Sequence, residues 1–145
     1  MSFLRNLYPH RNFGLLVLRI GIGFMFMVHG WPKITGGAEK WEMVGSAMGN
    51  LGIDFGHAFF GFMAAFSETI GGLFLMLGLM FRPTTLLLFI TMVVAALRHY
   101  LGGDGFGGYS HAVEAAILFL GLYFIGPGRF SLDDKMFGSE LNHRY

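Results

Sequence analysis

The sequence predicts an all-α fold: an integral membrane four-helix bundle, N-in/C-in, with a short interfacial helix between spans 1 and 2. Three observations predict it. Four long apolar stretches run through about residues 13–31, 57–81, 84–101 and 111–125, each near or above the length a helix needs to cross roughly 30 Å of hydrocarbon. The chain is 54% hydrophobic and only 13% charged, about half the ~25% charge of a soluble domain. Each stretch nevertheless holds ionisable groups: Arg19 in the first, Glu68 in the second, Arg98 with His99 in the third and Glu114 in the fourth. A charge in hydrocarbon costs ~3 kcal/mol or more, so these groups are expected to face the bundle interior and pair.

The elements follow in order. Residues 1–12 are polar and carry Arg5 and Arg11. The first apolar run contains Arg19 and lacks a small-residue cleavage site after it, so it is expected to stay as a membrane helix rather than act as a cleavable signal. It is predicted to end at Trp31-Pro32, where the indole suits the interface and the proline stops the helix. In the connection to Gly56, Trp41, Val44, Met48 and Leu51 recur at helical spacing. That spacing reads as a short amphipathic helix at the interface, with an ordered loop as the alternative.

The second span runs from His57 into Phe81, and Arg82-Pro83 is read as a tight turn. The third span ends near Tyr100. Five glycines in residues 102–108 predict a flexible loop. Gly126-Pro127-Gly128 closes the fourth span. Ser131 with Asp134 resembles a capping box for a short last helix. The spans use most of the 145 residues, so residues 1–145 are read as one membrane domain.

Outside the spans, Arg5, Arg11, Arg82, Arg129, Lys135 and Arg144 would lie on one side, and Lys33, Lys40 and Arg98 on the other. This asymmetry favours both termini inside. The net charge is +1 with no basic cluster, which excludes a nucleic-acid surface. The chain has no cysteine, which excludes disulfides, dithiol redox chemistry, thiolate haem ligation and Cys-held iron–sulfur clusters.

Around Glu68 the helical wheel gathers Gly61, Ala64, Ala65, Gly71, Gly72 and Leu75, a small-residue face suited to close helix packing. Arg19 lies at a comparable depth, so an Arg19–Glu68 pair with two parallel hydrogen bonds is expected. Such a pair either fixes helix register or also contacts a polar ligand head and relays protons. A second cluster is expected toward the outer face: Arg98 and His99, His29, His57, and His111 with Glu114 at i and i+3. It is read as an interfacial polar network with an Arg98–Glu114 salt bridge, with a metal or haem site on the four histidines as the lesser alternative. The 17 phenylalanines and 10 methionines suit a slot for a flat ring or isoprenoid tail, and equally suit ordinary packing.

These residues together resemble the DoxX/DoxD-like family of small bacterial membrane proteins. Arg19-Ile-Gly21-Ile-Gly-Phe24 followed by His29-Gly30-Trp-Pro-Lys33 is similar to the family's opening pattern. Glu68-Thr-Ile-Gly71-Gly72, Leu77-Gly78-Leu79 and Arg82-Pro83 are similar to its core, with Glu114 at the head of the last span. Gly126-Pro127-Gly128-Arg129-Phe-Ser131-Leu132-Asp133 is similar to its ending. The resemblance implies a multi-pass protein of the bacterial inner membrane. Some relatives are membrane subunits of a thiosulfate:quinone oxidoreductase, and others are linked to a membrane complex in oxidative-stress defence.

The functional expectation is a membrane subunit that binds a quinone or similar lipid-soluble ligand, with no covalent cofactor. Arg19, Arg98 and Lys33 are the candidate ligand-binding cations. Glu68, Glu114 and His29 are the candidate proton carriers. Electrons would come from a redox partner protein, and the other candidate partner is a second copy of the chain. The rival expectation is a non-enzymatic scaffold or assembly factor whose buried charges are structural pairs and whose glycine faces dock other membrane helices.

Overall fold

A computed structural model describes residues 10–141. Arg5 and Arg144, two of the charges used for orientation, lie outside them. Among the described residues every regular element is helical. They are α1 (Arg11–Ile34), α2 (Gly37–Gly45), a 3₁₀ turn (Ser46–Leu51), α3 (His57–Phe66), a π turn (Ser67–Gly71), α4 (Gly72–Leu77), α5 (Phe81–Leu101), α6 (Gly105–Ile125) and α7 (Leu132–Leu141). Four continuous helices are long and apolar enough to cross a membrane: Arg11–Ile34, His57–Leu77, Phe81–Leu101 and Gly105–Ile125. The second of these is α3, the π turn and α4 in sequence.

The spans run up and down, so α1 starts and α6 ends at the same end of the bundle, called here the termini end. The opposite end is the loop end. Helix α1 packs closely on the second span, and α5 packs closely on α6. A cluster of Phe26, Leu75, Phe81, Leu88, Met92, Phe119 and Leu122 fills the interior.

The contact between α1 and the second span is built on glycine. A Cβ on Gly23 would overlap Gly72 and Met76, and one on Gly30 would overlap Thr69 and Glu68. Missing side chains let the two backbones approach, as small residues do in membrane helix pairs.

Three expected boundaries move. Pro32 does not end α1, which continues to Ile34. Only the last turn lies beyond the proline, and the Thr35 N–H bonds the Trp31 carbonyl there, so little helical bonding is lost. Residues 102–108 are not a long loop: α6 begins at Gly105, and the link is Gly102–Asp104. Arg82-Pro83 is not the turn. The chain reverses at Gly78 and Met80, both left-handed at φ 66° and 45°, and Pro83 sits in the first turn of α5, where a missing N–H is tolerated.

The interfacial element is helical, as α2 followed by the 3₁₀ turn. It leans on α3, where Gly45 meets His57 and Gly61 meets the Trp41 backbone. The Trp41 and Phe62 rings stack edge to face. Ser131 does cap α7, its hydroxyl accepting from the Asp134 N–H at 3.1 Å.

The glycine contact carries a prediction. Gly30→Ala must push Thr69 aside, and should lower stability by about 1–3 kcal/mol, the usual range for overpacking. Gly21→Ala meets nothing within 4 Å and should be neutral or slightly stabilising through its better helix propensity. Thermal unfolding of both variants in the same detergent checks this.

Candidate functional site

The buried charges do not pair as the sequence suggests. Glu68 is 3% exposed and sits in the π turn, a local irregularity that often accompanies function. Its partner is Lys33, whose Nζ donates to Oε1 at 2.7 Å and Oε2 at 2.5 Å. Arg19 lies elsewhere. It is fully buried at the termini end, where Nη2 donates to the Phe130 carbonyl at 2.6 Å. The Asp133 carboxylate supplies a compensating negative charge.

Register and side-chain direction explain the exchange. With Gly30 opposite Glu68 and Thr69, and Arg19 opposite Gly78, the two expected partners lie eleven residues apart along α1, roughly 16 Å. Side chains on a helix also lean toward its N-terminus. Arg19 therefore leans toward the termini end. Glu68, on an antiparallel helix, leans toward the loop end, where Lys33 leans back to meet it. Because α1 runs through Pro32, Lys33 is held on the helix at i+4 from His29.

Polar side chains brace the π turn. The Thr69 hydroxyl donates to the Ala65 carbonyl at 2.8 Å, and the Thr91 and Ser67 hydroxyls share a hydrogen bond at 3.1 Å. On the other side of Lys33, the Trp41 indole N–H donates to the Lys33 carbonyl at 3.0 Å. That bond satisfies one of the acceptors a helix C-terminus leaves free and ties α2 to the ion pair.

His29 faces α6. Its ring centroid lies 6.3 Å from that of His111. Deeper in the same seam, Phe26 and Phe119 meet edge to face with centroids 4.8 Å apart. Helix α6 packs its backbone on α5 and meets α1 chiefly through these large side chains. Glu114 is exposed, on the same face of α6 as His111 and one turn further from the loop end. The structure thus brings Lys33 to Glu68 and His29 to His111, with the two pairs joined by one turn of α1.

The remaining expected partners are apart. Arg98 and Glu114 form no salt bridge among the described residues. Arg98 lies three residues before the end of α5, whereas the early start of α6 places Glu114 nine residues into that helix. The offset is about 9 Å along the bundle. The four histidines do not converge either. His57 lies 3.4 Å from Glu42 and His99 lies 2.5 Å from Asp104. No group of three His, Asp or Glu side chains among the described residues is placed to hold a metal ion.

The pair that sequence reasoning missed is Lys33 with Glu68. Its signal was present in the i, i+4 spacing of His29 and Lys33, but it requires reading α1 through Pro32. The polar run Ser67-Glu68-Thr69 inside an apolar span was the trace of the π turn.

Comparison with known proteins places these features in a group. Residues 14–101 match the family model described as DoxX. A protein of Haemophilus influenzae, described as an uncharacterized protein, is 30% identical over 140 residues, covering 92% of this chain and 98% of that one. No solved structure matches.

The ion pair can be tested by its coupling. Lys33→Met leaves Glu68 buried without a partner and should cost about 3–5 kcal/mol. Adding Glu68→Leu should recover most of that loss, because no buried charge remains. Unfolding of the single and double variants in detergent measures the coupling, and equal losses in both would count against it.

Proposed function

The chain belongs to the DoxX family of membrane proteins, and on that premise we propose that it is the membrane subunit of a redox complex, binding a quinone-class ring at the α1–α6 seam. The observation that carries this reading is the Lys33–Glu68 pair held beside His29 and His111. A lipid-soluble ring needs an apolar wall with a few polar groups at its carbonyls. Phe26 and Phe119, buried and packed edge to face, form the apolar floor of the seam. Lys33 and the two imidazoles offer donors near the loop end.

Reducing a quinone consumes two electrons and two protons. A partner protein delivers the electrons. Protons reach the carbonyl oxygens through His29 or His111, with Glu68 and the exposed Glu114 as the carboxylates that resupply them. Arg19 takes no part, since it is buried at the other end of the bundle, and Arg98 lies away from the seam. The chain sits in the bacterial inner membrane with the termini end inside, where Arg11, Arg82, Arg129 and Lys135 gather.

A second reading has one observation in its favour. Lys33 bonds both oxygens of Glu68, so the pair is complete as a structural clamp, as a scaffold protein would need.

Protein purified in mild detergent from its native membrane should retain about one quinone per chain, read from the reduced-minus-oxidised ultraviolet spectrum. A Lys33→Met/Glu68→Leu variant that stays helical and monodisperse should bind added quinone at least ~tenfold more weakly, a loss of about 1.4 kcal/mol. Unchanged binding would exclude this site. A charge-exchanged Lys33→Glu/Glu68→Lys variant that folds and still binds quinone would assign the pair to structure alone and move the weight to the scaffold reading.

A further inference from the structure

A groove at the loop end is independent of the seam and of the reading above. It lies between the 3₁₀ turn and the last turn of α5, has a volume of about 590 Å³, and presents more polar than apolar surface. Ser46, Asn50, Arg98, His99 and Asp104 line it. Arg98 forms no salt bridge among the described residues. Asp104 lines the same groove, with His99 Nδ1 at 2.5 Å from its Oδ2.

We propose that this groove binds the phosphate–ammonium headgroup of an amine phospholipid from the surrounding bilayer. Arg98 is the phosphate ligand, since a guanidinium presents a planar fork of donors to phosphate oxygens. Asp104 receives the ammonium. A carboxylate has about four acceptor positions, so His99 does not exhaust it. Asn50 offers both a donor and an acceptor. The Ser46 hydroxyl donates to the Met43 carbonyl, which leaves its oxygen as an acceptor.

Two features select this ligand over simpler ones. The groove holds one cation and one anion, which matches a zwitterion. A purely anionic headgroup would meet Asp104, and a trimethylated amine has no N–H to give it. The depth also fits. Arg98 and His99 occupy the last turn of the α5 span, and the neighbouring Tyr100 is exposed, as suits an aromatic at headgroup level.

The test is native mass spectrometry of delipidated protein in detergent, titrated separately with phosphatidylethanolamine, phosphatidylglycerol and phosphatidylcholine. The parent should hold phosphatidylethanolamine at least ~tenfold more tightly than the other two, about 1.4 kcal/mol of discrimination. Arg98→Gln should lose this binding, and Asp104→Asn should bind phosphatidylethanolamine and phosphatidylglycerol alike. Asn50→Leu, which fills the groove and keeps both charges, should also lose it, so the assignment does not rest on variants that change charge. Circular dichroism and gel filtration establish that each variant is folded. The proposal is overturned if the parent shows no headgroup preference, or if folded variants bind as the parent does. Displacement by free phosphoethanolamine as readily as by the lipid would assign the groove to a soluble ligand instead. Displacement by inorganic phosphate alone would reduce it to a plain anion site. Either result also overturns the bilayer assignment.

Discussion

The close approach of α1 to the second span sets the positions of Arg19, Lys33 and Glu68. Gly23 lies against Gly72 and Gly30 against Thr69, and this contact fixes one antiparallel register. Once it is fixed, Lys33 stands over Glu68, and Arg19 stands over Gly78. Neither polar contact needs to drive assembly. Buried ion pairs often contribute little net stability, because desolvation offsets their attraction. Backbone packing supplies the alignment, and the charges then report whether it is correct.

The termini end uses its charge differently from the loop end. Arg19 is enclosed by the chain that follows α6, through the Phe130 carbonyl. In the same segment Asp133 accepts from the Met80 and Phe81 N–H groups at 2.8 Å each, and its own N–H donates to the Gly78 carbonyl. One carboxylate thus caps the start of α5, offsets the Arg19 charge and pins a left-handed turn. Gly78 has no room for a side chain there, since a Cβ would overlap Arg19 and Ser131. Three spans and the tail segment are fastened at this point.

The four spans, the interfacial helix and the cap at Ser131 were legible because each is a local pattern: apolar length, helical spacing, or a side chain three residues from its partner. Partnerships across helices were not. Arg19 and Glu68 occupy comparable positions within their spans, but they do not meet, because position along a helix ignores the lean of the side chain and the register set by glycine contacts. Arg98 and Glu114 stay apart for a related reason. Glycines at Gly105, Gly107 and Gly108 read as loop, yet they form the first turns of α6 and shift Glu114 inward. His29 and His111 are expected in one cluster with His57 and His99, and which of these rings lies beside His29 follows from the adjacency of α1 and α6.

The π turn at Ser67–Gly71 has a consequence for how this span tolerates change in chain length. One extra residue in a turn advances every later side chain by about 100° around the helix axis. Gly61 and Ala65 are therefore aimed with one phase, and Gly72 and Leu75 with another. Removing a single residue there would restore a regular helix with better local hydrogen bonding. It would also turn Gly72 away from Gly23, so the more ideal helix would belong to the less assembled bundle. The irregularity works as a phase coupling between the half of the span that meets α2 at Gly61 and the half that fits α1 at Gly72.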